Sequence, residues 1–171
     1  MTKNKPVILG LGNPLFSDEG VGIHLVQGLM WEEISERAEI VDGGTDALYL
    51  LGTIEGTDHL LVVDAIDGDG APGSLYRLEG EQIDTGWKNR LSAHQIGFQE
   101  VLGLARLQGR LPAQIVLLGV QPQSLDWGTE LTDTVAGVLP RLRAMVYEQI
   151  ASWDLSSCPT QHSIGMVDAT L

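Results

Sequence analysis

The chain has 171 residues, 43% of them hydrophobic, with 10 basic against 23 acidic side chains and a net charge of −13. That length supports a single core, the composition excludes disorder throughout, and no apolar run reaches the roughly 18 residues of a membrane span. The acid excess argues against a phosphate-backbone partner, and the single Cys158 excludes an intrachain disulfide or a cysteine-built zinc site.

The elements follow in chain order. Residues 6–12 (PVILGLG) form a short apolar run closed by glycines, the mark of a buried strand. Before Gly10 only about five apolar residues precede the glycines, too few for a signal peptide, and the chain reads as cytoplasmic. Ser17-Asp18-Glu19 opens a helix whose inner face is Val21, Leu25, Val26, Leu29 and Met30. A second strand at 38–41 is stopped by Asp42-Gly43-Gly44-Thr45, and a short helix over 46–53 follows. Residues 59–65 (HLLVVDA) are the third and most hydrophobic strand, and 74–78 a weak, alternating edge strand. Ser92-Ala93-His94-Gln95 has capping-box spacing and starts a helix with Phe98, Val101, Leu102 and Ala105 inward. Residues 114–119 (QIVLLG) are another buried strand. A long apolar stripe from Leu131 to Ile150 predicts a helix that Pro140 should kink or break.

Strands alternating with helices predict an α/β fold: a three-layer αβα sandwich around a doubly wound, mostly parallel five-stranded sheet with one antiparallel edge strand. The expected domain is 1–150, with a polar, mobile tail over 151–171.

In such sheets sites form beyond the carboxyl ends of the strands. Asn13, Asp18 and Glu19 follow the first strand, Asp42 the second, Asp64 and Asp67 the third, and Gln121 the last, while His94 enters from the fourth helix. Carboxylates gathered in a partly desolvated cleft repel each other, and few basic residues lie nearby in sequence. A divalent metal resolves the conflict. Glu19, Asp64 and His94 supply two oxygens and a nitrogen, a set that suits nickel, zinc or manganese and leaves positions open for water or substrate. Each residue alone has a plainer reading: Glu19 as a helix-dipole partner, His94 as a cap, Asp42 as an Asx-turn former. A bare carboxylate closing so apolar a strand as Asp64 does is costly unless it is paired, which favours a functional reading. His59 lies at the opposite edge, His24 sits mid-helix off the apolar face, and His162 beside Cys158 is too sparse for a metal site. Gly10-Leu11-Gly12 lacks the third glycine of a dinucleotide loop, since Leu15 stands there and Pro14 intrudes.

The segment Gly10-Leu11-Gly12-Asn13-Pro14-Leu15-Phe16-Ser17-Asp18-Glu19-Gly20-Val21-Gly22 resembles the opening motif of the nickel-iron hydrogenase maturation endopeptidases. Asp42-Gly43-Gly44-Thr45, Val63-Asp64-Ala65, Ser92-Ala93-His94-Gln95, and Gly119-Val120-Gln121-Pro122 with Leu131-Thr132 are similar to later motifs of that family, in order over about residues 6–150. The resemblance implies a protease that removes a C-terminal peptide from the precursor of the hydrogenase large subunit once nickel has been inserted. It implies Glu19, Asp64 and His94 as metal-contacting and catalytic residues, and Asp42 as an acidic position for substrate recognition or cleavage. Gly43, Gly44 and Thr45 would line the substrate. Nickel would arrive with the substrate, and no organic cofactor is implied.

Without an obvious serine or cysteine nucleophile, cleavage would use water, with a metal polarising the carbonyl or Glu19 or Asp64 accepting the proton. The alternatives are a nucleotide-binding module built on Gly10 to Asn13, a chaperone-like module that binds the precursor without cutting it, and a peptidyl-tRNA hydrolase-like esterase. Glu19 would repel a phosphate in the first. The charge, and the lack of a His-Asn pair soon after the loop, count against the last.

Overall fold

The computed structural model describes residues 5–45, 47–86 and 93–156; the side chains of 47–48, 84–86, 93–96 and 155–156 fall outside that description. Five strands form one sheet: β1 (Val7–Leu11), β2 (Glu39–Gly44), β3 (His59–Ala65), β4 (Leu75–Glu79) and β5 (Gln114–Val120). Their order is β2-β1-β3-β5-β4, parallel throughout except for β4, which pairs antiparallel with β5 at one edge. The expected mixed sheet with an antiparallel edge is therefore present.

The apolar runs of β1, β3 and β5 are buried on both faces, and residue parity sorts them into two cores. Ile8, Leu61, Val63 and Leu118 face α1 (Val21–Leu29) and α6 (Asp133–Ser156), whose Val26, Leu29, Leu142 and Val146 complete that layer. Leu9, Leu60, Val62 and Leu117 face the other way, toward α3 (Leu51–Glu55) and α5 (Ala93–Leu107), with Phe98 and Ala105 fully buried among them. Two short helices, α2 (Ile34–Arg37) and α4 (Glu81–Gly86), have no counterpart in the sequence expectations.

The elements depart from expectation at several points. The second strand does not stop at Asp42: β2 continues to Gly44 alongside β1, with Asp42 opposite Gly10 and Gly44 opposite Leu11. Both glycines suit it. A Cβ at Gly43 would crowd Leu9 and Leu11, and Gly44 turns the chain out at φ +51°. The last helix crosses Pro140 as one element. The carbonyl that proline leaves without a partner is that of Ala136, which is exposed and open to water, so no break is forced. That helix also runs to Ser156, so residues 151–156 are helical rather than tail. Trp153 anchors them, buried, with its indole N–H donating to Gln114 Oε1 at 2.6 Å. Residues 157–171 lie outside the described residues. No described helix is long and apolar enough to cross a membrane.

The topology fixes where a site can form. From β1 the chain passes to β2 on one side, and β3 returns on the other, so the crossovers part above the carboxyl ends of β1 and β3. That switch point leaves a crevice open between the two connections.

Candidate functional site at the switch point

Glu19 stands at this crevice because α1 lies unusually close to the sheet. A Cβ on Gly22 would overlap the carbonyl oxygens of Val63 and Leu11, and one on Gly10 would overlap that of Gly22. Two glycines thus let helix backbone rest on strand backbone. The 3₁₀ turn Ser17–Gly20 that precedes α1 packs against β3, and it brings half-buried Glu19 to the end of that strand. Gly12, at φ +128°, makes the turn possible, and the space its side chain would take holds the Glu19 carbonyl. The glycine pair of the first loop therefore serves the chain's own turn, and a phosphate cradle has no room there.

Asp64 is the sixth residue of β3 and fully buried. Its Oδ1 accepts the Ala65 N–H at 2.8 Å. Strand alternation sends it to the face opposite Val63, the face covered by α5. Position 94 is the second residue of α5, one turn before buried Phe98, at the end of the helix nearest the strand termini. The His94 side chain lies outside the described residues, as does Ser92. The backbone thus brings the carriers of Glu19 and Asp64 together, with position 94 entering from the other helical layer. Among the described residues no group of three or more His, Cys, Asp or Glu side chains is gathered to hold a metal ion.

Asp42 stands apart from that pair. Its register partner Gly10 is also the partner of Val63, so β1 separates Asp42 from β3 by two strand spacings, about 10 Å. Exposed on the α1 side, it accepts Gln27 Nε2 and the Gly44 N–H, each at 3.2 Å. The latter bond is the Asx turn expected of Asp-Gly-Gly, and Thr45 follows it, exposed. His59 begins β3 at the far edge, its ring tilted against that of Trp153 at 5.0 Å between centroids, and His24 faces the Thr129 carbonyl at 3.2 Å.

Two polar residues beside the crevice organise it in ways the sequence does not announce. Asp18, fully buried, accepts the N–H groups of Gln123 (2.8 Å), Ser124 (3.0 Å) and Thr132 (2.8 Å) and the Thr132 hydroxyl (2.9 Å). Thr132 caps α6, its hydroxyl oxygen accepting the Val135 N–H at 3.4 Å, so Asp18 ties the Glu19 turn to the start of the last helix. Gln121, at the end of β5, accepts the Gly68 N–H (2.8 Å) and the Tyr76 hydroxyl (3.0 Å) and donates to Asp67 (3.0 Å), clasping the loop after β3. Asp18 and Thr132 both fall within the family-like segments, which is the one signal in the sequence that pairs them.

The comparisons agree with this architecture. A family model described as hydrogenase maturation protease matches residues 23–149. The chain is 40% identical over 154 residues to the hydrogenase expression/formation protein HupD of Rhizobium leguminosarum bv. viciae, covering 88% of this chain and 76% of that protein. It is 38% identical over 135 residues to the hydrogenase 2 maturation protease of Escherichia coli K12, covering 78% and 82%. The hydrogenase maturating endopeptidase HybD from E. coli superposes with a TM-score of 0.81 at 32% identity, over 87% of this chain and 93% of that one. The [NiFe] hydrogenase maturation protease HybD from Thermococcus kodakarensis gives 0.73 at 29%, over 85% and 99%.

Proposed function

The chain belongs to the hydrogenase maturation protease family and is a hydrolase of the endopeptidase kind, and from that premise we propose that it cleaves the C-terminal extension from the nickel-loaded precursor of a [NiFe] hydrogenase large subunit, in the cytoplasm. Glu19, Asp64 and His94 hold the client's nickel. What carries this reading is the meeting of the Glu19 turn with the buried end of β3 at the switch point. Carboxylate oxygens with imidazole suit a borderline divalent ion, and nickel would supply there a positive charge that favours ionised carboxylates in a partly desolvated crevice.

Three protein donors leave the shell incomplete. The precursor therefore contributes the remaining ligands, and an empty precursor has nothing to offer the carboxylates. Selection for the loaded client follows from that incompleteness. Where nickel serves only as the recognition mark, Glu19, which is half-buried, or Asp64, which accepts the Ala65 N–H, takes the proton from water attacking the scissile carbonyl. Asp42, with Gly43, Gly44 and Thr45, forms the substrate wall on the far side of β1, held by Gln27 rather than joining the metal set.

The test is processing of nickel-loaded and nickel-free precursor by the full chain. A shortened large subunit is expected in the first case alone. Asp64→Asn and His94→Ala should abolish cleavage with unchanged circular dichroism. Normal processing by both variants removes the metal-holding role, and cleavage of the nickel-free precursor removes recognition.

A further inference from the structure

Beside the crevice the chain exposes apolar side chains that its own core does not use. Leu15 is 50% exposed, Leu125 51% and Trp127 77%. They come from the connections after β1 and after β5, which join in a short parallel bridge between Phe16 and Gly128. The bridge is closed by the Ser17 N–H donating to the Gly128 carbonyl (2.8 Å) and the Gly128 N–H to that of Leu15 (3.0 Å). Ser17 Oγ donates to the Asp126 carbonyl at 3.0 Å, and the Phe16 and Trp127 rings pack at 4.5 Å between centroids. Asp18, the next residue, clamps the same two connections from below. The backbone that carries Trp127 is fixed, and the Phe16 ring restricts the indole on one side, which lowers the entropy cost of using it as a binding anchor.

The two connections that carry it are acidic. Residues 6–36 and 121–140 contain no lysine or arginine, while Asp126, Glu130 and Asp133 stand exposed beside Trp127. Glu19 lies four residues from Leu15 on the same connection, so this surface adjoins the crevice.

We infer that Leu15, Leu125 and Trp127 form the docking surface for the precursor protein, seating an apolar side chain of the client flanked by lysines or arginines. This rests on the proposed function and adds the contact that holds the client apart from its metal. Attraction between the acidic rim and the basic flanks raises the encounter rate, and the anchored indole supplies the short-range contact.

Steady-state processing of nickel-loaded precursor tests it. Trp127→Ala and Leu15→Ser should each raise KM about tenfold or more, and added salt should raise KM for the unsubstituted chain. Trp31→Ala is the control. Trp31 is 92% exposed just beyond α1, at the opposite edge of the sheet, and its loss should leave KM within about twofold. Equal KM for the two docking variants and the unsubstituted chain overturns the inference while leaving the proposed function standing. Loss of a dimer in Trp127→Ala by size-exclusion chromatography assigns the surface to a second copy of the chain and also overturns it. No processing by the unsubstituted chain overturns the proposed function, and the docking surface with it.

Discussion

Replacing Asp18 by asparagine should damage this fold far more than its near-identical shape suggests. Oδ1 accepts the Thr132 N–H and Oδ2 accepts those of Gln123 and Ser124, so both oxygens face fixed backbone donors. An amide nitrogen has no harmless orientation. In the less costly one it replaces Oδ1 and opposes the Thr132 N–H, while the Thr132 hydroxyl keeps its bond to Oδ2 at 2.9 Å. A charge-assisted bond is worth about 1.5–3 kcal/mol, and a buried donor left without its acceptor costs about 1–3 kcal/mol. We expect about 3 kcal/mol of destabilisation for Asp18→Asn and about 3–5 kcal/mol for Asp18→Ala, which strands all four donors. For a chain of this length about 3 kcal/mol corresponds to a fall in Tm of about 6–12 °C. Differential scanning calorimetry gives the size, and amide exchange at Gln123, Ser124 and Thr132 gives the place. Asp154→Asn is the contrast, since it removes an ion pair to Arg37 in which both side chains are close to half-exposed. Such a pair contributes about 0–1 kcal/mol. A Tm for Asp18→Asn within 2 °C of the unsubstituted chain (about 0.5–1 kcal/mol), with protection unchanged at the three amides, would refute the reasoning.

Glycines that look alike in sequence should part company. Gly22→Ala drives a Cβ into strand backbone and should cost more than about 3 kcal/mol or prevent folding; Gly137→Ala, in α6 with nothing within 4 Å, should stabilise by up to about 1 kcal/mol. Chemical denaturation of both separates close approach from a generic glycine effect, and equal shifts would contradict it. Tyr147 donates to Glu32 at 2.6 Å, and that bond, with burial, holds its phenol above the ordinary 10.0. A raised folded value means stability that is present below pH 10 and lost as the pH climbs through it. The Tm advantage of the unsubstituted chain over Tyr147→Phe should therefore shrink as the pH is raised from about 8 through the phenol's titration; a constant difference across that titration excludes the coupling.

The layered fold could be read from β1, β3 and β5 because a strand covered on both faces must be apolar at nearly every position, and such runs stand out. The end of β2 was harder. Gly43 and Gly44 read as a stop, yet their missing side chains are what let the strand continue against Leu9 and Leu11. Residues 151–156 resembled a polar tail because their one anchor, Trp153, finds its partner Gln114 in a strand far back in the chain.

Composition, strand periodicity and the order of the motifs determined the layer architecture, the edge strand and the positions of Glu19 and Asp64 at strand ends, since each depends on neighbours within a few residues. Tertiary structure alone decided that Asp42 lies across β1 from Asp64, that Asp18 is the tie between the first turn and the last helix, and that Trp127 stands beside Leu15. Those facts depend on strand order and on donors more than 100 residues away from their acceptors, and a local pattern holds no record of which distant backbone will arrive.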